Sequence, residues 1–220
     1  MDNFAIRWSQ NTAYGIGLLT SDGNLSPDGR HFYFVSVDRE LAENLKTAFQ
    51  LKNKIVRRSR LRGGIEKYFV IQFGNVSLYR ALNKIGITST KSKTIKSVLI
   101  PRIYFSDFLR GLFDGDGTFY TFWDKRWPNS FGYQISFASA SFPFINWLME
   151  QLAVRYDVKG FVRRGDGVFN LRYVKRDSRK IFAVMYSPRP RLFLKRKYNK
   201  IKTAFQKDEV LAQMRKSEPG

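Results

Sequence analysis

The sequence predicts an α+β fold made of two pseudo-twofold-related αββαββα repeats. Three observations predict it. An apolar, helix-like segment ending in Asp-Gly occurs twice, once in each half of the 220 residues. The hydrophobic periodicity after each copy passes through the same order of elements. Hydrophobic residues make up 43% and aromatic residues 16% of the chain, which is far too apolar for a disordered polycation and enough to build a core in each half.

Laying Asp22 on Asp116 aligns Ala13-Tyr-Gly-Ile-Gly-Leu-Leu-Thr-Ser-Asp22-Gly23 with Phe108-Leu-Arg-Gly-Leu-Phe-Asp-Gly-Asp116-Gly117. Behind the first copy, His31 to Val37 reads as an aromatic strand. A helix opened by Asp38 then carries Leu41, Leu45, Ala48 and Phe49 on one face. Two strands hinged at Gly63-Gly64 (54–61 and 65–73) follow, and then a helix from about Asn75 to Ile85. Behind the second copy the expected elements are strands over 118–123 and 133–138, a helix from about Pro143 to Tyr156, and strands over 160–164 and 168–174 around Gly165-Asp-Gly167. A helix over about Arg176 to Tyr186, the segment Ser187-Pro-Arg-Pro190 and a basic terminal helix complete the chain. The halves, 1–100 and 101–220, meet near Leu99-Ile-Pro101, because proline disfavours helix at the residue before it.

The charge balance selects the partner. Thirty-nine Lys and Arg face 18 Asp and Glu, a formal charge of +21, so a polyanion is expected and nucleic acid is the first candidate. A membrane surface is the weaker reading, since no run of about 18 apolar residues exists and no basic stretch carries a clean apolar face. With no cysteine and a single histidine, His31, disulfides, thiolate metal sites and a conventional catalytic triad are excluded. Chemistry must therefore rest on oxygen ligands and amines. The absence of cysteine and of a signal-peptide pattern fits an intracellular, reducing compartment, whether a bacterial or archaeal cytoplasm or an organelle.

On a helix, Gly17 and Ser21 fall on one face, as do Gly111 and Gly115, and small residues there allow two helices to approach closely. If the two helices cross on those faces, their C-terminal ends bring Asp22 and Asp116 together. Paired carboxylates repel and need cations. Mg²⁺ suits them, and other divalent cations such as Mn²⁺ or Ca²⁺ can take the same oxygen ligands. Phosphodiester cleavage uses that arrangement, because bound metals activate water and stabilise the developing charge. Asp-Gly can also simply end a helix. An EF-hand reading of Asp114-Gly-Asp-Gly-Thr fails, because the last position of the loop, which needs an acid, is Lys125.

Leu109-Arg-Gly-Leu-Phe-Asp-Gly-Asp-Gly117 closely resembles the signature of the LAGLIDADG homing endonucleases, and Gly15-Ile-Gly-Leu-Leu-Thr-Ser-Asp-Gly23 is a looser version. The resemblance implies a saddle-shaped monomer whose antiparallel sheets lie in the major groove of double-stranded DNA. It implies that Asp22 and Asp116 hold the catalytic metal, together with the backbone carbonyls of Ser21 and Gly115 respectively. It also implies a lysine near the cleaved phosphates at the end of each half. Of Lys91-Ser-Lys93 and Lys195-Arg-Lys197, the second lysine of each pair, Lys93 and Lys197, is the expected one. Gly15, Thr20 and Arg110 depart from the family pattern, but both aspartates are intact.

A two-stranded ribbon fits the major groove, so each strand should be apolar toward the helices and polar or basic toward DNA. Ile65, Phe69, Ile71 and Phe73 are expected on the first face; Glu66, Tyr68 and Gln72 on the second. Arg57 and Arg58, Gln134 and Ser136, Arg163 and Arg164, and Asn170 and Arg172 are further groove candidates; alternation allows only one of each arginine pair on a given face. The expected function is site-specific cleavage of both strands of a long, partly symmetric DNA site. The alternatives are an intron maturase that binds RNA and assists splicing, and a non-cleaving DNA-binding protein on the same fold. The length leaves little room for a protein-splicing domain.

Overall fold

The computed structural model describes residues 6–59, 65, 67–125 and 127–217. Helix α1 (Gln10–Ser21) is started by Ser9, whose hydroxyl accepts from the Thr12 amide at 3.0 Å and so satisfies one of the free N–H groups of the first turn. A short strand β1 (Gly23–Leu25) follows directly, then β2 (His31–Ser36), in which Phe32 and Phe34 point inward and Tyr33 outward as the two-residue period requires. Helix α2 (Arg39–Ala48) lays Leu41, Ala42, Leu45 and Ala48 on β2 and β4 (Tyr68–Gly74), while β3 (Val56–Arg58) forms the outer edge of the sheet. Asn75 caps α3 (Val76–Lys84) through the Leu78 amide, and Gly86 ends it at φ 103°, where a side chain would collide with the Ser97 carbonyl. A four-residue helix, α4 (Lys91–Thr94), leads into the linker.

The second half repeats the pattern. A 3-10 turn at Arg102–Tyr104 opens α5 (Phe105–Asp116), followed by β5 (Thr118–Asp124) and the long β6 (Trp127–Ser139). Ser141 caps α6 (Phe142–Tyr156), with Pro143 in its first turn. Strands β7 (Phe161–Arg164) and β8 (Phe169–Val174) precede α7 (Lys175–Tyr186) and the basic α8 (Lys195–Ser217). The two sheets have the same order, β1-β2-β4-β3 and β5-β6-β8-β7, and every pairing is antiparallel. The α+β fold of two repeated halves is the one expected from the sequence.

Register puts large apolar side chains against one another on the inner faces. Phe32 faces Phe73 across β2 and β4 with ring centroids 4.7 Å apart, and Ile135 faces Tyr173 across β6 and β8. Neither β1 nor α4 was expected, both being shorter than a readable period. Ile65 was expected on the inner face but is 77% exposed, because the strand begins only at Tyr68. The expected hinge Gly63-Gly64 and the facing of Glu66 lie outside the described residues. Among the described residues no helix is long and apolar enough to cross a membrane.

The halves are joined through α1 and α5, which pack along their whole lengths. A Cβ on Gly17 would overlap the Phe108 carbonyl oxygen, and one on Gly111 would overlap the Tyr14 carbonyl oxygen. The two backbones are thus in contact, which only glycine permits. Around this crossing Ala13, Tyr14, Ile16, Phe108, Leu109 and Leu112 are buried.

Candidate active site

Because α1 and α5 touch at their glycines, their C-terminal turns arrive side by side. A Cβ at Gly115 would overlap the Ser21 hydroxyl and lie 2.9 Å from a carboxylate oxygen of Asp22. Burial, and then the Asp116 carboxylate, push the Asp22 carboxyl up to about 7 against the opposing pull of Lys197 and Lys91. Burial also raises Asp116, with Lys91 and then Lys197 acting in the other direction. The two aspartates therefore feel one another in a desolvated place, as the motif geometry had suggested.

Two buried ammonium groups flank them. Lys197, 8% exposed, donates to the carbonyls of Phe113 (2.7 Å), Asp114 (2.9 Å), Gly115 (2.9 Å) and Gly117 (2.6 Å). Its counterpart in the first half is Lys91, 5% exposed, which donates to the carbonyls of Thr20 at 2.7 Å and Ser21 at 3.1 Å. Each lysine neutralises the free carbonyls at the C-terminus of one motif helix, where a positive charge is favoured. Burial lowers both amines, Lys197 to about 8. Lys93, the lysine expected from the sequence, is exposed. In a four-residue helix only the first lysine reaches back to α1, and no repeat alignment distinguishes it, since Lys91 opens α4 whereas Lys197 is the third residue of α8.

The pairing of groups crosses between halves. The Asp22 carboxylate lies beside Gly115 of the other motif. A cavity of about 240 Å³ is lined by Ser21 and Lys91 together with Asp116. Asp22 thus lies beside Gly115, and Asp116 shares a cavity with Ser21, alongside the expected pairing of each aspartate with the residue just before it. The close contact of α1 and α5 at their glycines brings these ends together. Two carboxylates and the carbonyls of Ser21 and Gly115, each of which accepts one lysine hydrogen bond and keeps a second lone pair, form an all-oxygen donor set that fits Mg²⁺, Mn²⁺ or Ca²⁺. Among the described residues there is no group of three or more His, Cys, Asp or Glu that could hold a metal ion.

Strand register settles which arginines share a face. Arg58 pairs with Tyr68, whereas Arg57 pairs with Phe69 and sets its guanidinium 5.7 Å from that ring. Arg58, Tyr68 and Gln72 therefore lie on the sheet face away from the helices, and Arg57 on the other. In the second sheet Arg163 pairs with Asn170, and Arg172 with Ser136, so these four and Gln134 share the open face, with Arg164 on the opposite one. Gln134 and Ser136 are only 4% and 6% exposed, because β6 is an inner strand with neighbours on both sides. The buried Gln134 Nε2 and Arg172 Nε have no acceptor among the described residues. Asn24, Tyr33, Tyr120 and Phe122 also face outward by register, and the sequence reading passed over them.

Neither a scan against protein-family models nor a search of curated proteins finds a match. Solved structures do match. The LAGLIDADG meganuclease I-AabMI bound to uncleaved DNA superposes with a TM-score of 0.65 at 12% identity, over 92% of each chain. The I-LtrWI LAGLIDADG homing endonuclease bound to target DNA gives 0.59 at 10% identity, over 94% of this chain and 91% of that one. The N-terminal LAGLIDADG domain of DUF199/WhiA gives 0.54 at 13% identity, over 83% of both. The chain thus has the LAGLIDADG fold, which is shared by DNA-bound homing endonucleases and by a domain not described as a nuclease.

Proposed function

We propose that this chain is a monomeric, divalent-metal-dependent endonuclease that cuts both strands of a long, partly symmetric double-stranded DNA site. The observation that carries the reading is the meeting of Asp22 and Asp116, one from each half, in a single desolvated place flanked by the buried Lys91 and Lys197. Like charges gathered at a cost in desolvation point to a cation that binds there. Two similar carboxylate–lysine groupings related by the repeat match a duplex with two strands to cut. The net charge of +21 and the outward-facing Arg58, Arg163 and Arg172 supply the attraction for phosphate.

In this reading Asp22 and Asp116, with the carbonyls of Gly115 and Ser21, hold the metal ions. A bound divalent ion polarises the scissile phosphate and lowers the pKa of its water. Lys91 and Lys197 hold the two helix ends in place and set positive charge beside the position of the phosphates, where negative charge grows. Lys91→Met is expected to slow cleavage about a hundredfold, as loss of a preorganised charge does. Lys93→Met should alter only DNA affinity. Single-turnover kinetics at saturating protein separate the two, and equal losses would return the role to Lys93.

Arg58→Ala should weaken DNA binding about tenfold, the usual cost of a base or phosphate contact, and Arg57→Ala far less, since Arg57 lies on the other face. Filter binding or anisotropy at fixed salt reads the difference, and equal losses would show that the register does not decide contact.

Acidity at Asp22 carries its own sign. Its carboxyl, pushed up to about 7 by burial and then by Asp116, lies above the ordinary aspartate value of about 4, so between these values the folded metal-free protein holds a proton that the unfolded chain has released. Stability contributed by that proton is complete below about 4 and is lost as pH rises toward about 7. In EDTA, Asp22→Asn should therefore gain thermal stability relative to the parent between pH 5 and pH 8, and added Mg²⁺ should raise the Tm of the parent alone. A pH-independent difference would place Asp22 in a solvated site.

The decisive test is a cleavage selection. The protein is incubated with a randomised duplex library in Mg²⁺, with EDTA as control, and the cut ends are sequenced. Metal-dependent ends at one long site establish the endonuclease. Intact duplex with tight, specific DNA binding would make the chain a non-cleaving DNA-binding protein, and preference for a folded RNA would make it a maturase.

A further inference from the structure

Half two holds its lysine with a device that half one lacks. Asp114 is fully buried two residues before Asp116, and its carboxylate accepts three hydrogen bonds: Tyr14 Oη at 2.9 Å, Tyr186 Oη at 3.1 Å and the Leu194 amide at 2.7 Å. Leu194 is the residue immediately before α8, the helix that carries Lys197. Two further side chains fasten the same short segment. Arg110, 3% exposed, donates to the Leu192 carbonyl at 2.8 Å and the Met185 carbonyl at 2.9 Å, and Asn44 donates to the Phe193 carbonyl at 3.1 Å while reaching the Tyr14 hydroxyl at 3.2 Å. Residues 192, 193 and 194 are thus each tied by a different polar side chain, from α5, α2 and α5 in turn.

Beyond Lys197 itself, the first turn of α8 is held by the Lys195 amide, which donates to Glu40 at 3.1 Å, and by Arg196, which donates to both Asp38 oxygens at 2.7 and 2.6 Å. Lys195 to Glu40 and Arg196 to Asp38 are ion pairs whose cations are 72% and 58% exposed. Such pairs contribute little in water, whereas a buried carboxylate that receives an amide holds it firmly. The first half has no equivalent at the matching place. Thr20 stands where Asp114 does, and its hydroxyl is spent on the Ile16 carbonyl of its own helix at 2.8 Å. Lys91 is approached from a four-residue helix whose own threonines bond to one another.

We propose that Asp114, supported by Arg110 and Asn44, is a positioning residue for Lys197: it latches the 192–194 segment to the motif helices and thereby sets the ammonium against the helix end, so that its loss disables one of the two cleavage groupings and leaves the other intact. The proposal rests on the endonuclease reading for its effect on cleavage, but the latch itself is a property of the fold. Removing it frees the start of α8 to move away from the carbonyls of 113–117. Lys91, tied to the other motif helix through Thr20 and Ser21, is untouched. The affected grouping is the one at the end of α5, whose carbonyls at 113–117 Lys197 holds.

The experiment has two readouts, one of which needs no activity. The folded protein is treated briefly with a low concentration of acetic anhydride, and the acetylation rates of Lys91 and Lys197 are followed by mass spectrometry. Asp114→Asn should raise the rate at Lys197 about tenfold, the factor by which losing a charge-assisted hydrogen bond shifts a local opening, and leave Lys91 within about twofold. Asn44→Ala, which removes one tie at a half-buried position, should act in the same direction by about threefold and serves should Asp114→Asn fail to fold. On a duplex labelled at both ends, Asp114→Asn should slow one strand about tenfold, the same strand that Lys197→Met slows, so that nicked product accumulates. Unchanged reactivity at Lys197, or equal increases at Lys197 and Lys91, would overturn the latch. Equal slowing of both strands would likewise reduce Asp114 to general stability. A parent protein that cuts nothing would sink the endonuclease reading alone, since the acetylation rates decide the latch by themselves.

Discussion

Asp22→Asn and Asp116→Asn are each expected to lower metal-dependent double-strand cleavage of DNA about a thousandfold while leaving DNA affinity unchanged or tighter. The size follows from what a bound metal contributes to a phosphoryl transition state, several kcal/mol, at about 1.4 kcal/mol per factor of ten. The direction of the binding effect follows from charge. Asparagine keeps the shape and one carbonyl oxygen of aspartate but removes a negative charge from a site that must accept phosphate, so repulsion falls while metal affinity is lost. Each single variant should also leave a product cut on one strand, because the two carboxylates come from different halves and in the proposed reading serve different strands. Single-turnover cleavage of an end-labelled duplex, alongside an equilibrium binding measurement in Ca²⁺, separates the two effects. Near-parental cutting by either variant would remove that aspartate from the active site.

Gly111→Ala has the second-largest expected effect, and two forces oppose each other in it. Alanine favours helix over glycine by about 1 kcal/mol, so on propensity alone α5 would be stabilised. Yet a Cβ at Gly111 would overlap the Tyr14 carbonyl oxygen, a backbone atom that can retreat only if α1 moves as a whole. Overpacking of this kind costs about 3 kcal/mol, so sterics win by about 2 kcal/mol. For a chain of this length that corresponds to a fall in Tm of about 6 °C. Moving α1 also separates Asp22 from Gly115, so cleavage should fall by more than the folded fraction does. Calorimetry and kinetics on the same preparation test both statements, and a raised Tm with full activity would mean that the helices do not meet at Gly111.

Much of this was legible in the chain itself. Hydrophobic periods of 2 and 3.6 residues located most of the strands and helices, the doubled Asp-Gly set the repeat, and glycine spacing at Gly17 and Gly111 indicated which helix faces would meet. These features are local: they depend on residues a few positions apart, and a side chain carries its turn chemistry and its polarity wherever it folds. The charge of +21 is likewise a sum over the sequence and needs no fold to indicate a polyanionic partner.

Tertiary structure decided the rest. Alternation allowed one of Arg57 and Arg58 to face outward, but only the pairing of Arg58 with Tyr68 says which. Two lysines per basic stretch were equivalent in sequence, and Lys91 differs from Lys93 solely because its Nζ reaches the carbonyls of Thr20 and Ser21, some seventy positions earlier. Asp22 comes beside Gly115, and Asp116 into one cavity with Ser21 and Lys91, because the two motif helices meet at their glycines. Contacts of that range depend on how separately formed elements dock, and docking is set by the volume of many side chains at once rather than by the identity of any one. Sequence by itself determined the elements, the repeat and the two acids; packing alone decided which amine, which arginine and which carbonyl stands beside them.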